Sequence, residues 1–220
     1  SYESRLVAAL WREAGGKLSG KVRDGSLPEG ATPLFTFESP QLAQVVRDIN
    51  KYSNNTMAEQ LFLTLASNAA QQGAARVTGI GQEQARAVLV QWLHERLGTA
   101  ADGIVVVNGS GLARETRISA RTLGQLLRSD WDSPIMPELA SSLPIVGVDG
   151  TLRHSSAAAG RAHLKTGSMR DVVAVAGFVQ AQGGRRYILV AVINDPHAGA
   201  ARPALDAAIA WVEADPAKAP

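Results

Sequence analysis

Apolar residues recur every three or four positions along six stretches of the chain, the spacing that places them on one face of an α-helix. Polar and charged residues fill the positions between them, so each stretch predicts an amphipathic helix with one buried face. The stretches are residues 7–14, 42–49, 58–69, 85–97, 119–127 and 205–212.

Residues that favour helix ends mark several boundaries of these helices. Ser39 followed by Pro40 predicts the N-cap and the first residue of the second helix. Ser119 predicts the N-cap of the fifth helix. Gly15 and Gly98 stand just after the apolar stripes of the first and fourth helices, where a glycine commonly ends a helix.

Three runs near the C-terminus are rich in apolar and β-branched residues, which predicts strands. The middle run is apolar without alternation, and this predicts that both faces of the sheet are covered. Gly183 and Gly184 predict a hairpin between the second and third runs. The runs are residues 162–168, 172–180 and 186–193.

Two further segments lie between the helices and these strands. The β-branched run 104–107, followed by Asn108-Gly109-Ser110-Gly111, predicts one more small strand ended by a turn. Prolines, glycines and serines between residues 133 and 160 predict mostly loop, with one short helix over 136–142.

Composition narrows the class of protein. A chain of 220 residues with 45% hydrophobic content fits one domain, or a large part of one, with a sizeable core. The net charge is +2 and basic residues form no run longer than a pair, so nucleic acid is not an expected partner. The chain has no cysteine, which excludes disulfides and a thiolate nucleophile. The start at Ser1, without methionine or a signal-peptide pattern, predicts a processed or truncated beginning.

Two polar triplets, far apart in the chain, carry the strongest chemical signal. Ser53-Asn54-Asn55 precedes the third helix, and Lys165-Thr166-Gly167 lies in the first C-terminal strand. Each triplet alone is a weak signal, because Ser and Asn favour helix starts and a strand lysine is commonly a solvated edge residue. Together they match the needs of a serine enzyme that cleaves an amide, namely a proton path to the leaving nitrogen and a cation for a carboxylate.

Each side chain of the triplets has a role that its chemistry permits. Ser53 can relay a proton, and the Asn55 amide can hold the backbone of a substrate. Lys165 and Thr166 can bind a terminal carboxylate by charge and by hydroxyl donation. Gly167 lets the backbone of a ligand approach the strand edge closely.

The sequence around the triplets makes the similarity specific. Four segments match in order across nearly the whole chain: NKYSNNTMAEQ at 50–60, NGSGL at 108–112, LP at 143–144 leading to GVDGTL at 147–152, and AHLKTG at 162–167. With these motifs the chain resembles the D-alanyl-D-alanine carboxypeptidase/endopeptidase family of low-molecular-mass class C penicillin-binding proteins, peptidase family S13.

The resemblance implies an α+β fold like that of serine β-lactamases and penicillin-binding proteins, in which helices flank an antiparallel sheet. It places the Lys-Thr-Gly triplet on an edge strand, in agreement with the strand predicted over 162–168. It also implies that the backbone N–H of Ser168 contributes to an oxyanion hole. Two residues depart from the family pattern, since Asn108 stands where Asp is usual and Asp171 where Asn is common.

The third motif of such enzymes, Ser-x-x-Lys with the nucleophilic serine, is absent, because none of the five lysines has a serine three places before it. In the family this motif lies near the N-terminus. Residues 1–220 are therefore expected to be the C-terminal portion of the penicillin-binding, transpeptidase-like catalytic domain, an incomplete fold whose N-terminal part carries Ser-x-x-Lys. The 220 residues alone are not expected to be acylated.

The function implied by the resemblance is that of a serine DD-peptidase, a D-Ala-D-Ala carboxypeptidase and/or endopeptidase. It would cleave peptidoglycan stem peptides through an acyl-enzyme, and β-lactams would acylate the same serine. No metal and no cofactor is expected, and the substrate implies a periplasmic location. The expected catalytic residues are Ser53, Asn55 and Lys165, and the expected substrate-binding residues are Thr166, Gly167 and Ser168.

Two other hydrolase mechanisms compete with this interpretation. Ser110 lies in a glycine-rich turn, but a nucleophile elbow requires glycine where the chain has Asn108 and Leu112. His94 begins a sequence like the zinc metalloprotease helix, but Gly98 stands in place of the second histidine. Neither pattern is complete.

The alternative from another class is a non-catalytic module that binds cell-wall peptide in a retained cleft. The missing nucleophile favours this alternative for the isolated chain. Binding a carboxylate needs only Lys165 and Thr166, however, whereas catalysis also requires Ser53 and Asn55, and all four are present. We therefore favour part of an enzyme.

Overall fold

The computed structural model describes residues 2–23, 25–26, 28–32, 36, 38–71 and 81–217. Contacts divide the chain into two compact units, Ser1–Ser39 and Pro40–Pro220. The first unit contains helix α1, Tyr2–Glu13, and Gly15 follows it with a left-handed backbone. The indole of Trp11 donates a hydrogen bond to the carbonyl of Lys17 at 3.2 Å, which holds the chain after the helix against its last turn.

The second unit contains the remaining helices and strands of the described residues. The predicted helices and the three C-terminal strands are confirmed, and the short helix after residue 133 has the predicted bounds. The helices are α2 (Leu42–Tyr52), α3 (Asn55–Gln71), α4 (Gln82–Leu97), α5 (Ala120–Trp131), α6 (Met136–Ser142) and α7 (Arg202–Glu213). The strands are β1 (Ala162–Met169), β2 (Val172–Gln180) and β3 (Arg186–Asn194). Within the described residues, no helix combines the length and the apolar content needed to cross a membrane.

The predicted start of the second helix at Ser39 and Pro40 is wrong. The chain stays extended through Gln41, with ψ of 146°, so α2 begins only at Leu42 and has no side-chain cap. A proline fixes its own φ but not the ψ of the residues after it, so Pro40 permits a helix start without requiring one. The N-cap predicted at Ser119 is confirmed, because its side chain accepts a hydrogen bond from the N–H of Thr122 at 3.0 Å.

The small strand predicted over 104–107 is also wrong. Val105 forms one isolated bridge with Arg117, and a ladder needs successive pairs. Val106 packs instead against a helical cluster centred on Phe62 and Ala85, from α3 and α4. Val105 is exposed, so one residue of this run, Val106, packs on the helices, an outcome that local sequence cannot distinguish from strand formation.

The three strands form an antiparallel sheet in the order β1-β2-β3. Side chains alternate between the two faces, and each face has its own core. On one face Leu164, Val175 and Val179 pack with Ile209 of α7. On the other, Phe178 packs with Leu127 of α5 and with residues of α6 and the loop after it. The prediction that both faces of the sheet are covered is confirmed.

Gly177 lets β1 and β2 pair without steric conflict. It lies opposite Leu164 and has a φ of 149°. A Cβ at this position would overlap the carbonyl oxygen of His163 and lie 3.1 Å from the Cα of Leu164.

We expect Gly177→Ala to lower the free energy of unfolding by about 3 kcal/mol or more, because overpacking and backbone strain act together. Chemical denaturation measures this loss. Gly199→Ala is the matched control, since an added Cβ there meets no atom within 4 Å. We expect that control to change stability by less than about 0.5 kcal/mol. Equal losses in the two variants would contradict the proposed role of Gly177.

Candidate active site

A cleft of about 490 Å³ opens between the end of α2, the start of α3 and strand β1. The structure brings together in its lining every residue that the sequence predicted for the site. These residues are Ser53, Asn55, Lys165, Thr166, Gly167 and Ser168. At its centre Lys165 Nζ donates a hydrogen bond of 2.8 Å to Ser53 Oγ.

Strand alternation explains why the Lys165 side chain reaches Ser53. Leu164 points into the core under α7, so its neighbours His163 and Lys165 point to the opposite face. His163 Nδ1 lies 2.9 Å from the Ala140 carbonyl of α6 on that face. The last turn of α2 also contacts α6, because Asn50 Nδ2 donates a hydrogen bond of 2.8 Å to Ser142 Oγ. Ser53, just after α2, therefore lies on the side to which Lys165 points.

The ammonium of Lys165 has polar neighbours but no acidic partner. Besides Ser53, it donates to the carbonyl of Thr166 at 2.9 Å. No carboxylate of the described residues lies within ion-pair distance of it, and burial lowers the pKa of Lys165 below its ordinary value. A negatively charged ligand in the cleft would therefore be strongly favoured beside this lysine.

Ser53 has an unusual backbone. It follows the last turn of α2 in the left-handed conformation, with φ of 53° and ψ of 48°, and its N–H donates to the carbonyl of Ile49. Ser53 and Ala158 are the two non-glycine residues with positive φ in the described part of the chain. Glycine is the usual residue at such a helix end, and a side chain there costs roughly 1 kcal/mol. Strain of this kind at a cleft residue is typical of functional sites.

The turn predicted at 108–111 orients Asn55. Asn55 Nδ2 donates a hydrogen bond of 2.5 Å to the carbonyl of Ser110. The Ser110 hydroxyl donates to Asn108 Oδ1 at 2.8 Å and accepts from the N–H of Leu112 at 3.2 Å. Ser110 is therefore a turn residue that positions Asn55, and its hydroxyl is occupied within the turn.

The backbone of Ser168 faces the open side of β1. The N–H of Leu164 points away from β2, because it donates to the carbonyl of Pro144 at 2.9 Å. The β1-β2 register is unbroken through Met169, so the N–H of Ser168 points to the same side. The Ser168 hydroxyl accepts a hydrogen bond from Arg202 Nη2 at 2.7 Å on the α7 side.

The two residues that the resemblance marked as departures, Asn108 and Asp171, both have partners in the structure. Asn108 holds the turn described above. Asp171, between β1 and β2, accepts a hydrogen bond of 3.0 Å from Arg114 Nη1, and this bond holds the pKa of the Asp171 carboxyl below its usual range. The negative charge of Asp171 is thus balanced by the Arg114 guanidinium.

Lys51 lies beside the first triplet, but nothing in the sequence pattern predicts a role for it. The structure buries Lys51 at 8% exposure and gives its ammonium two short hydrogen bonds. A lysine in a helix is ordinarily a solvated residue, and no local pattern distinguishes this one. Its partners come from a segment about 90 residues further along the chain.

The structure provides no support for a zinc mechanism at His94. Its side chain is exposed and its Nδ1 lies 3.7 Å from a carboxylate oxygen of Asp102. Over the described ranges, no three His, Asp or Glu side chains converge closely enough to hold a metal ion.

A comparison with known families settles the membership of the chain. Residues 1–215 match the D-Ala-D-Ala carboxypeptidase 3 (S13) family. The chain belongs to this family. The resemblance drawn from the two triplets and the four matching segments is confirmed.

Two S13 relatives show how much of a whole protein the chain represents. It is 31% identical over 220 residues to a D-alanyl-D-alanine carboxypeptidase of Actinomadura sp., an alignment that covers 93% of this chain and 39% of the relative. It is 25% identical over 205 residues to D-alanyl-D-alanine carboxypeptidase DacB of Haemophilus influenzae, covering 88% and 40%. The chain therefore spans about two fifths of the length of these relatives.

Solved structures confirm the fold. Penicillin binding protein 4 (dacB) from Haemophilus influenzae, complexed with a β-lactam, matches with a TM-score of 0.70 at 24% identity, over 88% of this chain and 44% of that one. A penicillin G-acylated predatory endopeptidase from Bdellovibrio bacteriovorus matches with a TM-score of 0.56 at 18% identity, over 80% and 46%. The predicted α+β, penicillin-binding-protein-like fold is thus confirmed.

The backbone of Ser53 leads to a test by paired substitutions. Ser53→Gly and Ser53→Ala both remove the hydroxyl bonded to Lys165, so they differ mainly in how well each residue tolerates the left-handed conformation. We expect Ser53→Gly to be more stable to urea than Ser53→Ala by about 1 kcal/mol. Equal stability of the two variants would show that this position is not strained.

Proposed function

We propose that this chain is the C-terminal portion of the catalytic domain of a serine DD-peptidase that cleaves peptidoglycan stem peptides through an acyl-enzyme. Both D-Ala-D-Ala carboxypeptidase and endopeptidase activity use such a site. The observation that carries the proposal is the 2.8 Å hydrogen bond between Lys165 and Ser53, because it joins two distant motifs in one cleft. Membership of the S13 family supports the same chemistry.

The nucleophile in this proposal is the serine of a Ser-x-x-Lys motif in the N-terminal part of the same protein. Its oxygen forms a bond to the penultimate D-Ala carbonyl, and the C–N bond to the terminal residue breaks. Ser53 passes a proton to the leaving nitrogen, which departs as the free amine. Water then hydrolyses the ester and regenerates the serine.

Substrate binding is assigned to the strand side of the cleft. Lys165 and Thr166 orient the terminal carboxylate of the stem peptide, and the absence of an acidic partner for Lys165 in the described residues supports this role. Gly167, next along the strand, leaves room for the substrate backbone.

The acyl side of the substrate is assigned to Asn55 and to the backbone of Ser168. One N–H of the Asn55 amide is used by Ser110, which leaves its other N–H and its oxygen for the substrate. The N–H of Ser168 faces the open side of β1, as a donor to the developing oxyanion requires.

The free edge of β3 supports the proposal that further sheet completes the domain. One edge of β3 pairs with β2, and in the part of the chain that the structure describes no strand pairs with its other edge. Residues 187–193 are almost entirely apolar. Such an edge invites pairing with another strand. We propose that the N-terminal part covers it and carries the nucleophile.

The proposed substrate implies where the protein acts and which class of compound would inhibit it. Peptidoglycan lies outside the inner membrane, so we propose a periplasmic site of action. β-Lactams imitate the D-Ala-D-Ala terminus and are proposed to acylate the same serine. The β-lactam bound to the similar Haemophilus influenzae protein supports this proposal.

Labelled penicillin tests the function directly. The full-length protein that contains this chain should gain the mass of one penicillin, and peptide mapping should place the adduct on the serine of Ser-x-x-Lys. Residues 1–220 alone should gain no mass. Binding of a D-Ala-D-Ala peptide by the full-length protein without any covalent adduct would instead favour the non-catalytic binding module.

Replacing Lys165 should separate activity from stability. We expect Lys165→Ala in the full-length protein to lower the acylation rate constant by at least about 100-fold, because the carboxylate loses its cation. The melting temperature should change little at pH 7. Burial lowers the pKa of Lys165, so keeping its ammonium charged lowers the stability of the folded protein at neutral pH. This loss of stability is relieved only as the pH rises past the folded-state pKa.

The control for Lys165→Ala is Lys17→Ala, which changes an exposed lysine outside the cleft lining. It should alter neither the acylation rate constant nor the melting temperature. A loss of folding in Lys165→Ala as large as its loss of acylation would make Lys165 a structural residue.

A further inference from the structure

Lys51 lies in the last turn of α2, two residues before Ser53, and its charge is buried. Its ammonium donates to the carbonyl of Leu143 and to Asp149 Oδ2, both at 2.6 Å. Burying an ammonium without partners destabilises a fold by several kcal/mol. These two hydrogen bonds therefore allow the last turn of α2 to lie in its buried position.

Both partners belong to one segment, residues 143–152, which we call the strap. The strap lies along the outer edge of β1. The N–H of Val146 donates to the carbonyl of Ala162 at 3.0 Å, and the N–H of Leu164 donates to the carbonyl of Pro144 at 2.9 Å. These bonds fix the strap to the strand that carries Lys165.

The strap is fixed equally closely to α2. Asp149 Oδ1 accepts from the strap's own Ile145 N–H at 2.7 Å, so one carboxylate joins the strap backbone to Lys51. Gly150 has a φ of 57°, and a Cβ there would lie 2.6 Å from the carbonyl oxygen of Lys51. The last turn of α2 and the strap are therefore in direct contact.

The strap also reaches the cleft. The hydroxyls of Thr151 and Thr166 lie 3.2 Å apart, and Thr151 lines the cleft beside Lys165. A continuous series of contacts thus connects Lys51, through Asp149 and the strap, to the part of β1 that contains Lys165 and Thr166. Ser53 lies next to the Lys51 end of this series.

We propose that Lys51 and Asp149 are positioning residues, which hold Ser53 at hydrogen-bonding distance from Lys165 through the strap. This inference rests on the proposed function, because its purpose is the proton relay through Ser53. Only Ser53 and Lys165 would touch the reacting groups. The pair acts on them by fixing the distance between α2 and β1, and an error of about 1 Å in such a distance lowers rates by about 100-fold.

The test uses Lys51→Met and Asp149→Asn in the full-length protein that contains this chain, with labelled penicillin as the probe. Time courses over a range of penicillin concentrations separate the dissociation constant from the maximal acylation rate constant. The final extent of labelling gives the fraction of protein molecules that are active. We expect each variant to lower the rate constant by about 10-fold to 100-fold, with a dissociation constant within about threefold of the parent's.

A matched control comes from a second partly buried ion pair outside the cleft lining. Arg96 Nη2 and Asp130 Oδ1 lie 2.9 Å apart, and both side chains are largely buried. Asp130→Asn should lower stability and leave the acylation rate constant unchanged. If Asp130→Asn slows acylation as much as Asp149→Asn, the proposal is overturned, because the effect would be a general result of lost stability.

A combination of variants tests whether Lys51 acts through Ser53. In a Ser53→Ala background the relay is already lost, so Lys51→Met should lower the residual rate constant by less than about threefold. The full loss in that background would overturn the proposal. If Lys51→Met does not fold, the same measurements on Asp149→Asn, which preserves the shape of the side chain, decide the matter.

The outcomes also separate this inference from the proposed function. An unmodified full-length protein that forms no adduct would contradict the function itself. A protein that forms the adduct, with Lys51→Met and Asp149→Asn acylated at the parent rate, would contradict only the positioning role.

Discussion

The buried ammonium of Lys51 ties the end of one helix to the outer edge of the sheet. Its bonds to Leu143 and Asp149 are short, and the segment that supplies them is itself hydrogen-bonded to β1. Because a buried charge is costly when either partner is absent, helix, strap and strand can exist in this arrangement only together. The distance between Ser53 and Lys165 follows from that arrangement.

The sheet fixes the position of Lys165, as the end of α2 fixes that of Ser53. Alternation along β1 sends Leu164 into the core beneath α7 and Lys165 toward α2, so one strand serves both stability and the cleft. Gly177 permits the close pairing of β2 with this strand. The polar groups of the cleft therefore stand on a rigid support, as groups that must meet a substrate at fixed distances require.

The cleft itself contains features that do not favour stability. Lys165 is partly buried without an acidic partner in the described residues, and Ser53 takes a conformation that suits glycine. A protein selected for stability alone would have an apolar residue at position 165 and glycine at position 53. Their presence together, in an S13 chain, is most simply explained by the chemistry proposed for them.

The sequence by itself determined the features that depend on neighbours in the chain. The 3.6-residue spacing of apolar positions predicted the helices, the apolar runs predicted the three C-terminal strands, and the motifs identified the family and the cleft residues. Only the tertiary structure showed that residues 104–107 form no strand and that Val106 packs on helices. It alone also showed that Ser110 orients Asn55 and that Lys51 is buried on the strap. These outcomes depend on contacts between residues tens of positions apart, and local periodicity contains no information about such partners.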